Sequence, residues 1–161
     1  MTRRRLPFAA IAAGLAVFTA LAAGSAEARA GAWLGECNDY ATVSLVAEPW
    51  EQHTRTFYNG QVRVVMVDTD GEPACCSSWL VVIYPDREDE LGGRACAMLG
   101  SGEGLGFAGV DVKAIRSTYS AATGLTLTVP VRRLREDDSG VDVSQVVLTL
   151  DLAAGRLTLR P

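Results

Sequence analysis

Past residue 30 the apolar positions of this chain recur at every second residue almost throughout, the period of a half-buried β-strand rather than of a helix. The last third is the clearest. Leu125, Leu127, Val129 and Val131 fall on one face, with Thr126, Thr128 and Arg132 on the other. Upstream, Val110, Val112 and Ala114 alternate with Asp111 and Lys113, and the phase then slips to Ile115, Ser117 and Tyr119. A second slip separates Val141 and Val143 from Val146, Leu148, Leu150 and Leu152. One extra residue on a strand is a β-bulge, so each slip predicts one. Residues 79–84 are apolar on both faces, which predicts a central strand covered on each side, and residues 94–99 read as its short partner.

Turn chemistry separates these runs. Asn59-Gly60 lies between residues 54–58 and 61–68, both β-rich, and predicts a hairpin because both turn residues tolerate positive φ. Asp68-Thr69-Asp70-Gly71 closes the second of those strands, and Pro85 to Glu90 forms a charged loop. The turns at Ala121-Ala122-Thr123-Gly124 and Ala153-Ala154-Gly155 are alike, with glycine at the position that needs positive φ. Glu48-Pro49-Trp50-Glu51-Gln52 reads as one helical turn or an irregular corner. No long helix follows Ala30. The expected fold is all-β: an antiparallel β-sandwich or small β-barrel of about eight or nine short strands in a single domain, residues 31–161.

Residues 1–30 stand apart. Arg3, Arg4 and Arg5 form a positive start, residues 7–23 carry no charge, and Ala26-Glu27-Ala28 and Ala28-Arg29-Ala30 place small residues where a signal peptidase reads. This predicts a signal peptide cut after Ala28 or Ala30, and a periplasmic or secreted protein. Thr2-Arg3-Arg4-Arg5-Leu6 leaves the general and the twin-arginine export routes both open. An uncleaved helix would instead tether the domain to the membrane. Leu21-Ala22-Ala23-Gly24 begins like a lipobox, but Ser25 follows in place of the cysteine that would carry the lipid.

The whole chain carries 15 basic and 19 acidic residues for a net charge of -4. Removing residues 1–30 takes away four basic residues and one acidic one, leaving 11 against 18, or -7. Such an acidic domain does not suit nucleic acid or anionic lipid as a partner.

All four cysteines, Cys37, Cys75, Cys76 and Cys96, lie in the exported part, an even number that reads as two disulfides. A bond between the adjacent Cys75 and Cys76 requires an eight-membered ring and is set aside on geometry. The expected pairings are therefore Cys37 with Cys75 or Cys76, and Cys96 with the other. Redox or zinc chemistry is the weaker reading, since no Cys-x-x-Cys occurs and His53, the single histidine, is far from every cysteine in sequence.

Other motifs lack the context their chemistry needs. Gly104-Leu105-Gly106-Phe107-Ala108-Gly109 has the spacing of a dinucleotide fingerprint, but a strand follows where a helix should, so it reads as a flexible glycine loop and no cofactor is expected. Asp68-Thr69-Asp70-Gly71-Glu72 lacks the span and distal glutamate of a calcium loop, and Glu136, Asp137 and Asp138 read as turn acids, so no metal site is expected. His53 has no Gly-x-Ser-x-Gly nucleophile to serve, and Gly100-Ser101-Gly102 lacks that spacing. Trp50, Phe57 and Tyr58 cluster near the corner and the hairpin tip, and if exposed they make a recognition patch. The first functional reading is a non-enzymatic domain that binds an envelope or extracellular partner. The second is an extracytoplasmic hydrolase, or an inhibitor of one, working through loop carboxylates.

Overall fold

The computed structural model describes residues 31–71, 75–135, 137 and 139–160. Residues 1–30, read from the sequence as a signal peptide, lie outside them, as do Glu72, Glu136 and Asp138. The chain runs through β1 (Trp33–Glu36), a 3-10 turn at Val43–Leu45, α1 (Trp50–His53), β2 (Thr54–Phe57), β3 (Val62–Asp68), β4 (Ser78–Pro85), β5 (Arg94–Gly100), β6 (Gly109–Val110), β7 (Arg116–Ser120), β8 (Gly124–Leu134), β9 (Val141–Asp151) and β10 (Arg156–Leu159). Among the described residues ten strands form, one or two more than the pattern indicates, because the segment between Gly109 and Ser120 divides into β6 and β7.

The strands make two antiparallel sheets, the arrangement of a sandwich. The first has the order β1-β5-β4-β3-β2, and the second β10-β9-β8-β6 with β7 on the same edge of β8. Period-two alternation explains the core between them. Val62, Val64 and Met66 of β3, with Leu80, Val82 and Tyr84 of β4, face Leu125, Leu127, Val129 and Val131 of β8 and Val146, Leu148 and Leu150 of β9. One corner is stitched across the layers. The Phe107 N–H donates to the Ser78 carbonyl at 2.7 Å, and one residue later the Ala108 N–H donates to Arg132 at 3.0 Å, so the chain leaves the first sheet and joins the second within a few residues.

β4 is the middle strand of its sheet, as its two apolar faces require. The outer face is covered because β1 and β2 occupy opposite edges, so the connection between them must cross the whole sheet. That connection lays Ala41, Leu45 and Val46 over Val67, Trp79, Val81 and Met98. The hairpin at Asn59-Gly60 also forms, with φ of 49°, 54° and 80° at Tyr58, Asn59 and Gly60. At the corner, α1 makes the single helical turn.

Three expectations are corrected. The slip before Ile115 is larger than a one-residue bulge. Val110 pairs with Val131 and Arg116 with Thr128, so five residues of one edge are set against two of β8 and three extra residues, not one, are accommodated. The slip in β9 is no bulge at all. Pairing with β8 keeps one register from Leu125↔Leu150 to Leu134↔Val141. Val141 and Val143 are apolar side chains on the exposed face, at 45% and 75% exposure.

The third correction concerns the cysteines. Cys37 is bonded to Cys96, and Cys75 to Cys76. Register explains why. Glu36 pairs with Ala97, so the next residue pair across β1 and β5 is Cys37 and Cys96, with Cα atoms 5.6 Å apart. Cys96 also lies opposite Ile83, five residues along β4 from Ser78. At strand rise that is about 17 Å, far beyond the ~4.4–6.8 Å span of a disulfide. With Cys37 taken, the adjacent cysteines have only each other.

Candidate functional site

The inner face of the first sheet ends in polar residues. Asp68 closes β3 directly opposite Ser78, which opens β4, so both side chains stand on the face that carries Met66 and Leu80. Thr54 pairs with Val65, which places His53, at the end of α1, one step further along beside Met66. Segment 108–113 passes in front of this end of the sheet on its way between the layers. Between them lies a cleft of about 410 Å3, walled by Gln52, His53, Asp68, Ser78, Asp111, Lys113 and Arg132. Its size falls at the low end of the ~300–1,000 Å3 usual for small-ligand sites.

The walls are held from both sides. Asp68 accepts the Asp70 N–H at 3.0 Å and Asp111 accepts the Ala114 N–H at 3.1 Å, so each carboxylate fixes its own turn through one oxygen and keeps the second. Arg55 donates to the carbonyls of Lys113 at 2.9 Å and Ile115 at 2.6 Å, while its guanidinium lies 5.0 Å from the Phe57 ring centre. That clamp draws the three-residue insertion against β2 and sets the Lys113 side of the cleft. His53 Nδ1 is buried and has no hydrogen-bond partner among the described residues. A desolvated ring nitrogen without a partner is uncommon in a folded protein, and His53 is one of the residues that line the cleft.

The residues singled out from sequence do not make one surface. Trp50 is 58% exposed at the start of α1, on the cleft side of β2. Phe57 is buried at the other end of that strand. Tyr58 is half-buried, packed on the core and against the exposed Tyr119 at 5.5 Å between ring centres. The structure thus places Trp50 and Tyr58 beyond opposite ends of β2, with Phe57 turned inward.

The glycine loop has a packing reason. The Ser101 and Gly102 N–H groups both donate to the Leu105 carbonyl, closing a tight turn. A Cβ on Gly106 would stand 2.5 Å from the Cys76 carbonyl oxygen and 2.7 Å from that of Ser78, both of them backbone. Phe107, immediately after, is fully buried.

Sequence reasoning missed Asp111, Lys113, Arg132 and Ser78 as neighbours of His53. The odd-length break before Ile115 was the available signal, since an insertion between two strands on one edge projects a loop. Among the described residues no three histidines, cysteines or acids are grouped as metal ligands. The chain matches no protein-family model, no curated protein and no solved structure.

Proposed function

We propose that this protein is an exported, non-enzymatic binding domain of the periplasm or the secreted fraction, released by cleavage after Ala28 or Ala30, which takes a small polar ligand in the cleft beside His53. The observation that carries the reading is the cleft itself, whose wall brings His53 together with Lys113, Arg132, Asp68 and Asp111. Such a wall presents donors and acceptors of both charges to a ligand of a few heavy atoms. The bonded Cys37–Cys96 pair supports export, because such bonds persist in oxidising compartments.

Native mass spectrometry on protein recovered from the envelope fraction tests both parts. The mature chain should lack residues 1–28 or 1–30 and carry a small-molecule adduct, and an Arg132→Glu variant should lose the adduct while keeping its melting temperature. A chain retaining its first 28 residues supports the membrane-tethered form instead. Absence of any adduct from both proteins counts against the cleft as a binding site.

A second reading, an extracytoplasmic hydrolase working through carboxylates, draws on the two aspartates that share the cleft with His53 and Ser78. It requires that Asp68→Asn or Asp111→Asn abolish turnover of a ligand that still binds.

A further inference from the structure

The two disulfides do different things. Cys37–Cys96 spans 59 residues of sequence and ties neighbouring strands. Cys75–Cys76 joins residues one apart. A ring between adjacent residues closes no loop, so it removes no loop-closure entropy from the unfolded chain, and the usual stabilising account of a disulfide does not apply to it. Two further observations concern access. Cys75 is exposed whereas Cys76 is 4% exposed. The Cys76 side is also fixed: the Thr69 N–H donates to the Ser77 carbonyl at 3.1 Å, and the Cys76 carbonyl packs against Gly106 with no room for a side chain between them.

We propose that Cys75–Cys76 is a reversible thiol–disulfide exchange site that accepts two electrons from an external thiol, independently of whatever the cleft binds. In the first step a thiolate attacks Cys75 Sγ, the sulfur on the solvent side. A bond forms between the attacking sulfur and Cys75, the Cys75–Cys76 bond breaks, and Cys76 leaves with the electron pair and takes a proton. In the second step another thiolate attacks the donor's sulfur in the mixed disulfide. Cys75 is released as a thiolate and protonated, and the donor ends as a disulfide. Two electrons and two protons have then passed from two donor thiols to the cysteine pair. Because Cys76 is covalently next to Cys75 and held by its neighbours, the reverse reaction re-forms the ring without a search through the chain.

The test uses the oxidised wild-type protein with two donors, glutathione as a monothiol and dithiothreitol as a dithiol, followed by acid quench, alkylation and peptide mapping. Cys75 and Cys76 should label at least about tenfold faster than Cys37 and Cys96, and oxidised glutathione should restore the bond. Reduction by dithiothreitol alone assigns a dithiol donor, and reduction by both assigns thiols generally. Either result supports the site. In a Cys76→Ser variant the free Cys75 thiolate should attack oxidised glutathione, releasing one glutathione thiol, and the other should accumulate as a mixed disulfide on Cys75 because no neighbouring thiol is left to resolve it. The wild-type kinetics stand without that variant should it fail to fold. Labelling of Cys37 and Cys96 first or at the same rate, or a reduced pair that does not re-close, would overturn the proposal.

Discussion

Tyr84 shows what one side chain contributes in a sandwich this thin. Its ring lies between the sheets while its hydroxyl sits near the charged loop after β4, and burial first, then Asp86 and Glu36, push the phenol above its ordinary value. A raised folded-state value means that the unfolded chain loses this proton before the folded chain does. The stability tied to the neutral phenol is complete below the unfolded value, about 10, and is lost as pH rises through the higher folded value. Urea denaturation of wild type and Tyr84→Phe from pH 8 to 11 should give curves that run parallel at first and diverge above about pH 10, with the wild type falling more steeply. Parallel curves throughout would remove Tyr84 from the alkaline limit. At this scale the sequence was readable where a residue acts through its own backbone, as Asn59 and Gly60 do. It was silent where another segment decides, as when the Cys76 and Ser78 carbonyls require glycine at 106.

Among the elements, β9 separates hydrophobic pattern from burial. Its apolar residues change phase at Val143, yet its pairing with β8 never slips. The reason lies at the free end of the long hairpin. There the exposed Asp137 accepts the Ser139 N–H at 3.0 Å, and Arg135 meets Asp142 at 2.7 Å between two exposed side chains. Valine on that face satisfies strand propensity without being buried. Val143→Thr should therefore change stability by no more than about 0.5 kcal/mol, whereas Leu148→Ala, at a fully buried position, should lose about 2–5 kcal/mol. Chemical denaturation of the two variants checks this, and a large loss at Val143 would mean that something covers the outer face. The same contrast shows how much of the fold was legible. Long alternating runs such as β8 specify strand, face and partner. Short runs interrupted by loops, such as β6 and β7, do not give the size of the interruption, because spacing alone does not distinguish one extra residue from three. The cleft rests on that interruption, so His53 was visible in the sequence while most of its neighbours were not.

On the scale of the whole molecule, the pairing of cysteines follows from strand order, which no local pattern contains. β1 and β2 are consecutive in the chain but occupy opposite edges, and the path between them covers Trp79 and Met98. Cys37–Cys96 is fixed where that path leaves β1, so the bond holds down both the edge strand and the cover. Cys75–Cys76 holds nothing distant. Cross-linking across 59 residues is worth about 4 kcal/mol in the chain-entropy account, and a ring between neighbours is worth almost nothing by the same reasoning. A Cys37→Ala/Cys96→Ala double variant should thus lose several kcal/mol, a large part of the ~5–15 kcal/mol expected for such a domain. It should also expose Trp79, seen as a red shift in tryptophan emission. A Cys75→Ala/Cys76→Ala variant should stay within about 1 kcal/mol of wild type with its emission unchanged. If the second variant unfolds as readily as the first, then the adjacent pair holds the β3–β4 connection in place, and strand order alone does not account for what the two bonds do.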